Sequence, residues 1–300
     1  MTNILFGKDA TAQGVAKQRL IETLAAPNKR IINDLFAERF VLGASVIKLM
    51  GHKASLWLTD KFAPGFHEHL IARTRYVDDF VRQSVANGAE QYVILGAGYD
   101  SRAHRLELPP ELKVFEVDQA DVQTKKREKL SHGLSGSNTV TYVSADFNQQ
   151  SLVEQLLAAG FDQSKPTVFT LEGVSQYISK QALSTTIEAL AALTYRTRST
   201  LFISYVDQRL KDDPKACFGE GYPQAIKRAN TICRLSEKVG EPWVSFYNAD
   251  EIEWLLSLRG FAIQENKTLE DLNAAYFTPI GRAIPEQNIL KLEHFVIAAG

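Results

Sequence analysis

The chain has 300 residues, 45% of them hydrophobic and 23% charged, with 34 basic against 35 acidic side chains and a formal net charge of −1. This is an ordinary globular composition, with room for one large α/β domain or two smaller ones, and the balanced charge gives nucleic acid no electrostatic reason to bind. Two cysteines, Cys217 and Cys233, cannot staple a chain this long, and no run of about 18 apolar residues is present, so neither a disulfide scaffold nor a membrane span is expected.

Residues 1–20 lack the positive start and apolar run of a secretory signal, so the reduced cytoplasm is the expected location. The first ninety residues read as helical, over 12–26, 29–40 and 43–58. A fourth helix follows, in which Ile71, Val77, Phe80, Val81 and Val85 recur at mostly three- and four-residue steps, and Asn87-Gly88 closes it. From residue 91 the rhythm changes to short apolar strands at Gln91–Gly96, Lys113–Asp118, Thr139–Ala145, Val168–Glu172 and Thr200–Tyr205, with helical stretches between them. Such alternation predicts a mostly parallel sheet wound on both faces. The rhythm breaks over 206–245, which reads as an insertion over the sheet's carboxyl edge. A helix, the Gly260 stop, a strand over Ala262–Leu269 and a final strand in EHFVIAAG complete the chain, and the last two strands have room to lie antiparallel at the sheet edge.

The segment with the clearest chemistry is QYVILGAGYDSRAHRL, a strand running into the turn Gly96-Ala97-Gly98. Missing Cβ atoms let a ligand approach such a turn closely. Asp118 ends the next strand 22 positions after Gly96, near the interval of about 20 residues between a glycine turn and a ribose-binding carboxylate. The dinucleotide pattern asks for a third glycine at position 101, which here is Ser101, flanked by Asp100 and Arg102. An acid beside the turn suits a pyrophosphate poorly and suits the cationic end of S-adenosyl-L-methionine well. Asp146 and Glu172 end the third and fourth strands, so three acids converge on the edge where parallel sheets bind ligands. NAD(P)-dependent oxidoreduction at the same turn, and S-adenosyl-L-methionine binding without catalysis, are the alternatives.

ILGAGYDSRAHRL, FEVDQADVQTKKREKL, ADF and LEGVSQYI, in that order, resemble the motif series of the leucine carboxyl methyltransferase family, as do IARTRYVDDFV and, more loosely, TAQGVAKQRL. The resemblance, which covers roughly residues 10–205 and more loosely the C-terminal strands, implies a class I methyltransferase: a Rossmann-like, seven-stranded, mostly parallel sheet over 91–300 with a helical cap over 1–90 belonging to the same domain. Residues 206–245 depart from the family pattern and are read, from the break in rhythm, as an inserted lid. It implies S-adenosyl-L-methionine as cofactor and an O-methyl transfer, to a carboxylate of a small molecule or peptide end; the charge balance and the lack of a long apolar run separately lead to the expectation of no nucleic acid or membrane as partner. By the same resemblance Arg73 (or its neighbour Arg75) binds the cofactor's carboxylate and Lys17 contacts the cofactor. Gly96 and Gly98 approach the methionyl part, Asp118 the ribose and Asp146 the adenine. Phe147 packs on the ring, Glu172 faces the amino group and sulfonium, and Tyr177 lines the active centre.

Tyr205 is a further candidate for the substrate pocket, beside Phe218, Tyr222 and Trp243, which serve equally as core. A carboxylate acceptor is ionised at neutral pH and needs no general base, whereas a hydroxyl needs one, for which His104 and His132 are the candidates. The pair His67 and His69 shows no further metal ligands nearby in sequence, so no metal is expected. Lys125-Lys126-Arg127 reads as a solvated helix face.

Overall fold

A computed structural model describes residues 9–131, 139–147 and 151–300. Seven strands, β1 (Gln91–Leu95), β2 (Lys113–Asp118), β3 (Val140–Ser144), β4 (Thr167–Leu171), β5 (Ser199–Val206), β6 (Ala262–Lys267) and β7 (Glu293–Ala299), form one sheet in the order β3-β2-β1-β4-β5-β7-β6. The pairs β3·β2, β2·β1, β1·β4 and β4·β5 are parallel. Ser199 and Gly300 exchange both backbone hydrogen bonds, 3.3 and 3.0 Å, so the start of β5 meets the end of β7 and that pairing is antiparallel. QYVIL and TVFTL are buried at every position because helices cover both faces of the sheet's centre, while β6 alternates between exposed and half-buried residues.

By internal contacts the chain divides into two compact units: residues 1–76, 209–242 and 267–293 form the first, and residues 77–208, 243–266 and 294–300 the second. The core of the second unit gathers Val93, Phe115, Phe169, Leu171, Leu183, Leu190, Ile203 and Val296 about the sheet. The segment 206–245 is helical over Arg209–Asp212 and Ala225–Lys238. Among the described residues, no helix is long and apolar enough to cross a membrane.

The expected helix over 29–40 forms only at Ala37–Phe40. Side chains take the backbone donors that a helix would have used: Glu22 Oε1 accepts from Ile31 N–H at 2.6 Å, and Asp34 Oδ1 accepts from Phe36 and Ala37 N–H at 3.0 and 3.1 Å. The expected helix over 43–58 runs over Ala44–Phe62 and breaks at Gly51, whose φ of 73° and ψ of 177° are not helical. The supposed solvated face at 125–127 also differs, because Lys126 is buried and donates to buried Glu116 Oε2 at 2.6 Å.

Within the first unit, Glu22 is the organising charge. Arg282 donates to both of its oxygens at 2.7 and 3.1 Å, His67 Nε2 lies 3.0 Å from Oε2, and Gln18 Oε1 lies 3.0 Å from His67 Nδ1. His52 completes a group in which ligand atoms of Glu22, His52 and His67 lie within 4.8 Å of one another. Arg282 already supplies the positive charge that a metal would bring there. His69 goes elsewhere, to Glu293 at 2.7 Å. Burial alone would raise the Glu22 pKa, but the bonds from His67 and Arg282 outweigh it and bring it from 4.5 down to about 2.

A folded pKa below the unfolded one gives stability that is complete above about 4.5 and is lost as pH falls toward about 2. Glu22→Gln leaves half-buried Arg282 beside a neutral amide and should cost up to about 3–5 kcal/mol at neutral pH, the penalty for breaking a fully buried pair. Urea unfolding of both proteins should show that gap narrowing as the pH is lowered through this window; a constant gap would refute the assignment.

Candidate functional site

The strand order reverses at β1, whose neighbours are β2 and β4. In open α/β sheets the crevice outside the carboxyl ends of strands at such a switch point is the ligand site. Two turns leave the sheet there side by side, Gly96-Ala97-Gly98 after β1 and Glu172-Gly173 after β4. Gly96 and Gly98 have φ of 67° and 43°, in the left-handed region. A Cβ at Gly96 would stand 2.3 Å from Val174 Cγ2, so glycine also lets the two turns pack together.

Asp118 joins the first turn to β2. Its Oδ2 accepts from Gly98 N–H at 2.6 Å and its Oδ1 from Gln119 N–H at 2.7 Å. A carboxylate has about four lone-pair sites, so two remain for hydroxyl donors of a ligand. Burial pushes the Asp118 pKa up, partly offset by the two backbone donors. Ala145 N–H donates to the Asp118 carbonyl at 3.1 Å, which brings Asp146, at the end of β3, beside it. Phe147 is half-buried and packs on the sheet's core.

Arg102, which the sequence reading passed over, is buried at the centre of the acids. Its Nη1 lies 2.7 Å from Glu172 Oε2 and also contacts Asp100, and its Nε donates to Asp78 Oδ1 at 2.8 Å. Arg105 clamps the same Asp78 with two bonds of 2.6 Å. Burial opposes the charge on Arg102, but Asp100, Glu172 and Asp78 outweigh it and raise its pKa further. Glu172, expected to face a cationic ligand, therefore has one oxygen committed to Arg102. The carboxylates of Asp78, Asp100, Asp118 and Glu172 still outnumber the guanidiniums of Arg102 and Arg105, so the crevice favours a cation. The signal in the sequence was the pair Asp78 and Arg102, each within a motif already singled out.

The structure thus brings together Gly96, Gly98, Asp118, Asp146 and Glu172, and places Tyr177 half-buried in the 3₁₀ turn Ser175–Tyr177 that follows β4. Tyr205 is 0% exposed, stacked on His294 at 4.9 Å and edge-on to Tyr247. Arg73 and Lys17 lie in the first unit. Arg73 is buried and paired with both oxygens of Glu293 at 2.9 Å, Arg75 donates to the Ile31 carbonyl at 3.1 Å, and Lys17 is exposed on its helix. His132 lies outside the described residues. A pair missed from sequence stands just beyond β5, where His294 Nε2 lies 3.0 Å from Asp207 Oδ2 and His294 Nδ1 lies 3.1 Å from Asn266 Oδ1.

The leucine carboxyl methyltransferase profile matches residues 12–191. The chain belongs to the leucine carboxyl methyltransferase family. A Mycobacteroides abscessus relative is 31% identical over 285 residues, 92% of this chain and 85% of its own, and a Rhodococcus jostii relative is 31% identical over 281 residues, 92% and 88%. Both are named as S-adenosyl-L-methionine-dependent methyltransferases. In fold, the chain is similar to a DUF574 family protein from Streptomyces avermitilis (TM-score 0.57, 14% identity, covering 94% of this chain and 96% of that one). It is likewise similar to a Thermobifida fusca protein named as a methyltransferase (TM-score 0.55, 18% identity, covering 94% and 93%). The protein is an S-adenosyl-L-methionine-dependent methyltransferase, and the dinucleotide alternative falls away. The switch-point crevice fits this cofactor: its excess of carboxylates suits a sulfonium and an amino group, and Asp118 retains acceptor capacity for ribose hydroxyls.

Arg102→Leu strands three carboxylates around an apolar side chain and should cost at least 3–5 kcal/mol, roughly the penalty for breaking a buried pair. Asp79→Ala, which loses an exposed partner of Arg82, should change stability by less than about 1 kcal/mol. Equal losses in chemical denaturation would mean that Arg102 does not hold the crevice together.

Proposed function

We propose that the methyl acceptor is a carboxylate oxygen of a small molecule or of a peptide end. The observation that carries this reading is the match over residues 12–191 to a family described by methyl transfer to a leucine carboxyl group. The local chemistry supports it: a carboxyl group with a pKa of about 4 is already a nucleophile at neutral pH. His294, the ring beside the end of β5, has both nitrogens engaged, by Asp207 and Asn266.

When bound, S-adenosyl-L-methionine supplies a methyl carbon on a sulfonium, which leaves as a neutral thioether. The protein's part is to hold, align and dry the reactants. Asp118, held by Gly98 N–H, would fix the ribose, Gly96 and Gly98 would approach the methionyl part, Asp146 would hold the adenine amino group with Phe147 against the ring, and Glu172 with Asp100 the cationic end. Tyr177, at the mouth of the β4 turn, would orient the acceptor. So held, the acceptor oxygen would be aimed at the methyl carbon opposite the sulfur, and the product would be a methyl ester.

The Asp207–His294 pair favours a second reading, a hydroxyl acceptor whose proton passes to the imidazole. Turnover against pH separates the two. With a carboxylate acceptor kcat is flat from pH 6 to 8, roughly the range above carboxyl pKa values, His294→Gln retains turnover, and the labelled product is released by mild base. A rate rising with pH, abolished by His294→Gln and yielding a base-stable ether, would establish the hydroxyl reading instead.

Asp118→Ala should weaken adenosylhomocysteine binding by about 1.5–3 kcal/mol, the worth of charge-assisted hydrogen bonds. Calorimetry reads this directly, and an unchanged affinity would remove Asp118 from the site.

A further inference from the structure

The helix Ala44–Phe62 is turned inside out relative to its composition. Of its nineteen residues only Ile47 and Ser55 are buried. Leu42, just before it, and Leu49 are each 89% exposed, Phe62 is 67% and Trp57 63% exposed, and Val46, Met50 and Leu58 are also exposed. Single exposed apolar residues are ordinary, but a run along two consecutive helical segments joined at Gly51 marks a surface with a partner.

The charges on the same helix identify that partner. Lys48, Lys53 and Lys61 are exposed, and Asp60, the helix's one acid, is half-buried. Lys61 Nζ stands 5.3 Å from the centre of the Trp57 ring, and Lys48 reaches Glu38 Oε2 at 2.7 Å, an exposed pair that an anionic surface can compete for. A second copy seated on this face by two-fold symmetry would bring its own lysines to the contact, with no exposed acid on the helix to meet them. A surface of anionic lipid headgroups over acyl chains meets both needs, accepting the leucines, Trp57 and Phe62 at the headgroup boundary and the lysines among the phosphates.

We propose that the helix Ala44–Phe62 is a peripheral docking element for an anionic membrane surface. No spanning segment is required, since a helix that lies in the interface needs only an apolar face and flanking cations. The inference stands on the first unit alone and does not depend on the identity of the methyl acceptor.

Co-sedimentation of the full chain with vesicles of phosphatidylglycerol and phosphatidylcholine, and with vesicles of phosphatidylcholine alone, tests it. The expected result is pelleting with the anionic vesicles that weakens in high salt and falls by about fivefold for each of Lys53→Gln and Lys61→Gln. The pair Leu49→Ser and Trp57→Ser should abolish it while circular dichroism and the unfolding midpoint are unchanged, because both side chains are exposed. A protein that stays in the supernatant with anionic vesicles overturns the proposal. So does equal binding to both vesicle types, or a dimer in light scattering that Leu49→Ser dissolves.

Discussion

A guanidinium withdrawn from water and held among three carboxylates organises the carboxyl end of the sheet. Arg102 is reached by Asp100 from its own turn, by Glu172 from the end of β4 and by Asp78 from the helix Phe66–Ala86. Removing any one carboxylate would leave the others to balance a buried cation. Removing Arg102 would leave acids in mutual repulsion at low dielectric. The positions of the β1 and β4 turns are therefore tied to one another through a charge neither turn could hold alone, and the glycine at 96 is what allows Val174 to close that gap. Asp118 extends the same logic by bonding the second glycine's N–H, so the turn is set by its electrostatics as much as by its backbone.

Much of this was legible in the sequence, for identifiable reasons. Central strands such as QYVIL and TVFTL are apolar without interruption because both faces are covered, and the strand ends were marked by glycine or an acid, so the parallel sheet and its carboxyl edge could be located from pattern alone. Less was visible where a side chain reaches across the chain. The segment 29–40 has helical periodicity, yet Glu22 and Asp34 capture its backbone donors, and a non-local bond leaves no periodic trace. Lys126 looks like any helix-surface lysine until Glu116 is found buried on β2. Tyr205 has the residue type of a pocket aromatic, but its partner His294 lies 89 positions away on the antiparallel strand β7. Arg102 was read as a neighbour of the glycine turn rather than as its anchor, because charge satisfaction is a property of three segments at once.

The same arrangement bears on how one crevice can serve a cationic cofactor and, as proposed, an anionic acceptor. A site built of carboxylates alone would attract the sulfonium and amino group but repel an approaching carboxylate at close range, where screening by salt is least effective. A site made neutral would lose the attraction for the cofactor. Arg102 and Arg105 settle between these limits: they consume most of the charge of Asp78 and part of that of Asp100 and Glu172, while the geometry leaves Asp118 bonded only to backbone N–H groups in the contacts that define its turn. Methyl transfer from a cation to an anion yields two neutral products, so a dry crevice with a moderate rather than large excess of negative charge disfavours neither reactant strongly and gains from the charge lost on the way to product.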